Sequence, residues 1–159
     1  MPRIMVTRFN NETWNQNVNY RSKNGICGYI YPSPRRIKET IPIQSYVLVL
    51  EMNNETNQVI GISRVKNYVM ADKYYHVYSD RNYNRFVYRG KERIDRTTMS
   101  KREEEVMKIW DALLFKGCNH MKRGSGFWEV KPERYKELRI GEEGIDTYMR
   151  RMFMKRTRM

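Results

Sequence analysis

The chain has 159 residues, the size of one domain and enough to bury one hydrophobic core. Apolar residues make up 40% and charged residues 31%, which excludes bulk disorder, and no stretch nears the roughly 20 consecutive apolar residues of a membrane helix. Thirty-one Lys and Arg against eighteen Asp and Glu leave a formal charge of +13, a surplus that repels itself unless a polyanion relieves it.

Residues 3–8 alternate weakly and predict a first strand. Asn10 to Tyr20 is polar around Trp14 and Val18; a cap at Asn10 or Asn11 and a closing Gly25 predict a short helix. Cys27 to Tyr31 predicts a strand ended by Pro32-Ser33-Pro34, because proline supplies no ladder donor. Ser45 to Met52 is the clearest strand, and its near-continuous apolar run implies burial on both faces. Asn53-Asn54-Glu55-Thr56-Asn57 supplies turn chemistry before Gln58 to Val65, which predicts a hairpin. Tyr68 to Tyr78 and Tyr83 to Tyr88 are aromatic and β-favouring. Arg89-Gly90-Lys91 reads as the tip between the latter strand and Glu92 to Asp95.

Two helices follow. Ser100-Lys101-Arg102-Glu103 is a capping box, in which serine and glutamate satisfy each other's backbone donors. Val106, Ile109, Trp110, Leu113 and Leu114 then form one apolar stripe, and Gly117 stands where a left-handed cap is expected. Ile145, Tyr148, Met149, Met152 and Phe153 repeat the spacing. Between the helices, Phe127 to Val130 predicts a short strand and Pro132 a helical turn. Strands first and helices later predict an α+β domain over 1–154, a curved antiparallel sheet or small barrel with helices outside, and a short basic tail over 155–159.

Cys27 and Cys118 are the two cysteines, too few for a disulfide framework. A zinc site would need both, with His76 and His120, and Cys118-x-His120 is no ligand spacing; no metal and no cofactor are implied. Twelve tyrosines are interleaved with cations and amides, as in Lys73-Tyr74-Tyr75-His76 and Asn82-Tyr83-Asn84-Arg85-Phe86. Such rings stack on bases while cations neutralise phosphates, or else half of them are core and the tyrosine reflects strand preference. Lys116 to Gly126 combines three glycines with three permanent cations, among them Lys122 and Arg123. Glycine lets backbone amides approach an anion, although neither a P-loop nor a dinucleotide fingerprint is present. Arg35 and Arg36 lie in a second basic cluster, and Arg150 and Arg151 open a third that runs to Arg158 without an acid. Glu129-Val130-Lys131 is half of a metal-dependent nuclease motif; Asp95 and Asp111 are the candidates for the missing carboxylate. No nucleophile–base pair suggests acyl transfer.

Leu48-Val49-Leu50-Glu51-Met52-Asn53-Asn54 followed by Val59-Ile60-Gly61-Ile62-Ser63-Arg64-Val65 resembles the hairpin of PUA-like domains of the EVE and YTH kind. Asn82 to Arg85, Tyr88 to Lys91 and Leu114 to Gly124 resemble stretches of small proteins of large eukaryotic DNA viruses. The PUA-like resemblance implies a compact β-barrel that holds RNA, or a modified base in an aromatic-walled pocket. Gly61, Ile62 and Val65 carry over as structural positions, and Ser63 stands where a second glycine is common.

The expectation is a non-enzymatic nucleic-acid-binding protein, for RNA or DNA, acting inside the cell. Arg35, Arg36, Lys122, Arg123, Arg150 and Arg151 would contact phosphates, and Trp14 or Trp128 would stack a base. A basic component of a larger viral assembly, or a virion, is the alternative, and a metal-dependent nuclease the second. No membrane partner is expected, since neither end carries a lipidation signal.

Overall fold

The computed structural model describes residues 3–157, and its centre is a five-stranded sheet with two apolar faces. The elements run β1 (Arg3–Phe9), α1 (Asn11–Lys23), β2 (Tyr29–Ser33), β3 (Tyr46–Asn53), β4 (Gln58–Lys66), β5 (Phe86–Gly90), β6 (Arg93–Asp95) and α2 (Lys101–Phe115). They continue with β7 (Trp128–Glu129), β8 (Arg139–Ile140), β9 (Glu143–Gly144) and α3 (Ile145–Thr157). Side chains alternate across a strand, so Ile4 and Val6 of β1 and Leu48, Leu50 and Met52 of β3 face α2 and α3. Met5 and Phe9, with Val47 and Val49, face the opposite way, onto the β2–β5 ribbon and the Trp14 side of α1. This double burial is what the unbroken apolar run of β3 predicts, and the chain is α+β.

The main sheet is mixed, not antiparallel, with the order β6-β4-β3-β1-β7. β1 and β3 run parallel because α1, β2 and the 34–45 connection intervene, a crossover long enough to bring the chain back in the same direction. β3–β4 is the expected antiparallel hairpin, with an irregularity at Glu51/Met52 and Asn57 in the left-handed region (φ 55°). β6 and β7 are open edges, so this sheet does not close into a barrel.

Three local expectations are corrected. β2 continues through Pro32, which stands opposite Val87 of β5. The Val87 carbonyl turns away to accept from Met70 N (2.8 Å), so that position asks Pro32 for no ladder donor. Tyr68 to Tyr78 forms no strand, and at its end the Asn84 side chain takes both backbone groups of Tyr78: Oδ1 accepts its N–H (2.9 Å) and Nδ2 donates to its carbonyl (2.7 Å). β5 and β6 do not pair around Arg89-Gly90-Lys91; β5 pairs with β2 and β6 with β4.

The helix signals are met closely. Asn10 and Thr13 form a capping box at the start of α1, and Gly25 (φ 64°) follows its end. Ser100 and Glu103 cap α2, while Val106, Met107, Trp110 and Leu114 are buried. Trp110 Nε1 donates to Met149 Sδ (2.8 Å), tying α2 to α3. α3 carries the chain through Lys155 and Arg156 in its last turn, while Arg158 and Met159 of the expected tail lie outside the described residues. No helix among the described residues is long and apolar enough to cross a membrane.

Candidate functional site

A cleft of about 230 Å³ opens where β1 ends, on the β2–β5 side of the sheet. Arg8 and Phe9 of β1, Pro32 and Pro34 of the β2 end, Asn54 of the hairpin turn and Tyr83 line it, closed on one side by Gly124-Ser125-Gly126. It is smaller than the ~300–1,000 Å³ of sites for drug-sized ligands, the scale of a single ring system.

Two polar atoms of residues that line this cleft, Arg8 Nη1 and Asn54 Oδ1, are buried without a hydrogen-bond partner. Their orientations are set by bonds made elsewhere. Arg8 Nε donates to the Met121 carbonyl (2.6 Å), which fixes the guanidinium fork. Asn54 Nδ2 donates to the Lys122 carbonyl (2.8 Å), which identifies the remaining atom as an acceptor. Among the described residues no carboxylate pairs with Arg8, and burial pushes its guanidinium down to about 10. Unpaired buried groups cost roughly 1–3 kcal/mol each, more when charged, so these two are a cost that the fold carries beside the cleft.

The basic glycine loop reaches this cleft. Gly124 sits at φ 104°, where a Cβ would lie 2.9 Å from Trp128 Nε1, so loop and ring are in direct contact. Trp128 is 46% exposed, donates through Nε1 to the Ser125 carbonyl (3.0 Å), and has the guanidiniums of Arg8 and Arg35 at 5.8 and 5.9 Å from its ring. Arg35 also donates to the Ser125 carbonyl (2.9 Å), joining the second basic cluster to the first. Arg35, Lys122, Arg123 and Trp128 thus gather beside one cleft.

The remaining sequence candidates lie elsewhere. Arg36 stacks on Phe86 (5.1 Å). Trp14 is half-buried, edge-on to Phe9 (5.0 Å), with the guanidiniums of Arg21 and Arg93 at 5.1 and 5.2 Å from its ring. Arg93 belongs to a buried network: it pairs with Glu51 (2.7 and 2.9 Å), which accepts from Tyr31 Oη, itself bonded to Ser63 Oγ (2.6 Å). Burial alone would lower the Arg93 pKa; the hydrogen-bonded Glu51 carboxylate outweighs it and raises it instead. Burial, then the Glu51 charge, holds the Tyr31 phenol well above its ordinary value. Gly61 makes this packing possible, since a Cβ there would lie 2.9 Å from both Glu51 Oε1 and Arg93 Nη2.

Arg150 and Arg151 are exposed on α3, across the sheet from the cleft, and Arg151 is engaged with Glu143 (2.7 Å). Glu129, of the nuclease half-motif, is held by Arg3 (3.0 Å) and Lys38 (3.1 Å). Asp111 is paired with Arg96 (2.9 Å) and Asp95 with Arg93 (3.0 Å). Among the described residues, no three His, Cys, Asp or Glu side chains are grouped to hold a metal. Of the tyrosines, six are buried (Tyr29, Tyr31, Tyr75, Tyr78, Tyr88, Tyr135), so half of the interleaved rings are core; Tyr46, Tyr68, Tyr74 and Tyr83 are exposed.

Sequence reading missed Arg8, Asn54 and the cleft-lining role of Tyr83. One signal was available: Arg8 is a cation inside an apolar strand, between Val6 and Phe9. The chain matches no protein-family model, no curated protein and no solved structure.

Proposed function

We propose that the protein is a PUA-like nucleic-acid-binding domain that grips RNA or DNA around Trp128 and holds a base, plain or modified, at the adjacent cleft. The observation that carries this reading is the meeting of an exposed indole, the Arg35 and Arg8 guanidiniums and the Lys122–Arg123 loop beside one cleft, with no carboxylate on either arginine among the described residues. Cations beside an exposed ring are the combination that single-stranded nucleic acid needs: the ring stacks a base and the charges neutralise flanking phosphates.

The test is fluorescence anisotropy with short single-stranded RNA, single-stranded DNA and duplex DNA across a salt series, with and without an N6-methylated adenine. Affinity should fall steeply with salt, because each neutralised phosphate releases counterion. Trp128→Ala should weaken single-strand binding about 5- to 150-fold, the worth of one stacked base. Affinity that ignores both salt and the indole refutes the reading.

A second reading rests on α3. Arg150, Lys155 and the half-exposed Met154 line a shallow hollow on the face away from the cleft, a surface suited to seating the protein in a larger, virion-like assembly. Neutralising Arg150 and Lys155 would then impair assembly and leave oligonucleotide binding intact.

A further inference from the structure

We infer that the strand gripped at Trp128 continues along the end of the β2–β5 ribbon, where Arg36 and Arg85 hold a further stretch of its phosphate backbone. The ligand is then an oligonucleotide strand, not a free nucleotide or an isolated base. The inference deepens the nucleic-acid reading and rests on it.

The half-buried Phe86 ring carries two guanidiniums, Arg36 at 5.1 Å and Arg85 at 5.3 Å from its centroid. One stacked cation is enough to cover a ring. The second brings a like charge within about 10 Å of the first, the reach of one Debye length at about 0.1 M salt. Both arginines are exposed, and neither is in an ion pair among the described residues. Cations gathered without acids repel one another until a polyanion relieves them. A stacked guanidinium keeps its N–H edge free, so the ring orients both arginines for phosphate without using their donors.

This pair adjoins the cleft. Phe86 opens β5 and stands opposite Ser33, the last residue of β2. Ser33 touches the glycine loop, where a Cβ on Gly126 would lie 3.0 Å from its Oγ. Arg35 donates its backbone N–H to the same Oγ (3.3 Å) and sends its guanidinium to the Ser125 carbonyl, beside Trp128. Arg35, Arg36 and Arg85 thus link the indole to the ribbon's end, past a cleft whose wall includes the exposed Tyr83. Charges fixed at two separate rings fit successive phosphates of a strand, and exposed rings serve bases that are unpaired.

The test uses the full chain and fluorescein-labelled oligothymidylates and oligouridylates, from dimer to decamer, in anisotropy titrations over a salt series. Arg36→Gln combined with Arg85→Gln should lower the slope of log affinity against log salt on the decamer by about 1.4, two phosphates at about 0.7 each, and leave the dimer's slope unchanged. Lys101→Gln combined with Lys108→Gln, two exposed cations of α2 on the other face of the sheet, should leave both slopes as they are. On the unaltered protein, phenylglyoxal modification read by mass spectrometry should show Arg36 and Arg85 shielded by the decamer and not by the dimer, which decides the matter even where the glutamine pair fails to fold. An unchanged decamer slope in the ribbon pair, an equal loss in the α2 pair or on the dimer, or arginines modified as fast with the decamer as without it overturns the extension and leaves the grip at Trp128 standing. Binding of no oligonucleotide overturns both.

Discussion

Removing both charges of the Glu51–Arg93 pair should cost less than the two single removals added together. The Arg93 side chain is 7% exposed and that of Glu51 1%, and the two are bidentate at 2.7 and 2.9 Å. Glu51→Gln keeps the shape but leaves the Arg93 guanidinium to Asp95 alone, whose side chain is 35% exposed. Stranding a buried charge costs about 3–5 kcal/mol. Asp95 and the retained amide oxygen place this case near the lower end, about 3 kcal/mol. At roughly 2–4 °C per kcal/mol for a chain of this size, the midpoint should fall by about 6–12 °C. Replacing Glu51 and Arg93 together by methionine removes the stranded charge as well as the pair. The double variant should therefore lose about 2–3 kcal/mol less than the summed losses of Glu51→Met and Arg93→Met. Thermal and urea unfolding followed by circular dichroism measure all four proteins. Additivity within about 0.5 kcal/mol would refute the claim that the two charges stabilise each other across the sheet.

Three further outcomes follow from named contacts. Arg156 bonds hold the Glu103 carboxyl down to about 2, so this ion pair stabilises the fold above the ordinary carboxylate range and is lost as pH falls from about 4.5 to about 2. Because the Arg156 side chain is 32% exposed, about 1–2 kcal/mol is at stake, and Arg156→Gln should flatten acid unfolding over that window. Gly124→Ala adds a Cβ 2.9 Å from Trp128 Nε1 at φ 104°; it should cost about 1–3 kcal/mol in urea unfolding and weaken oligonucleotide binding with it. Arg35→Gln should reduce the slope of log affinity against log salt by about 0.7 for a single strand, while Arg151→Gln, whose charge is already taken up by Glu143, should leave the slope unchanged in anisotropy titrations.

The elements legible in the sequence were those whose signal is local. Ser100 and Glu103 announce α2 because both halves of a capping box lie within four residues, and Gly117 marks its end because φ 77° suits glycine. The β3–β4 hairpin was legible for the same reason. What failed depended on distant partners. Tyr68 to Tyr78 has strand composition, yet it joins no sheet, and the backbone of Tyr78 is bonded by the Asn84 amide instead. Pro32 reads as a strand end until the Val87 carbonyl is seen turned toward Met70. The parallel pairing of β1 with β3 could not be read from either strand, since it follows from where the intervening crossover sends the chain. At the candidate site, the glycine loop, Arg35 and Trp128 were visible as unusual composition. Arg8 and Asn54 were not, because being unpaired is a property of the surroundings and not of the residue.

That distinction also decides how the net charge should be read. Seven cations, Arg3, Lys38, Arg64, Arg93, Arg96, Arg151 and Arg156, are in ion pairs among the described residues, and several bind elements of the fold together. Arg96 joins α2 to the start of β4 through Glu104, Asp111 and the Val59 carbonyl, and Arg156 joins α3 to the start of α2 through Glu103. These charges serve packing, so their mutation would mimic loss of binding through loss of structure. Arg8 and Arg35 form no ion pair among the described residues; they bond to the Met121 and Ser125 carbonyls of the glycine loop instead. A carbonyl orients a guanidinium without neutralising it, so both keep their charge for a ligand while being held in place. A surplus of +13 therefore does not by itself say which cations are free to meet a polyanion. In the nucleic-acid reading proposed above, Arg8 and Arg35 are the arginines beside the cleft that backbone carbonyls, not acids, hold in place.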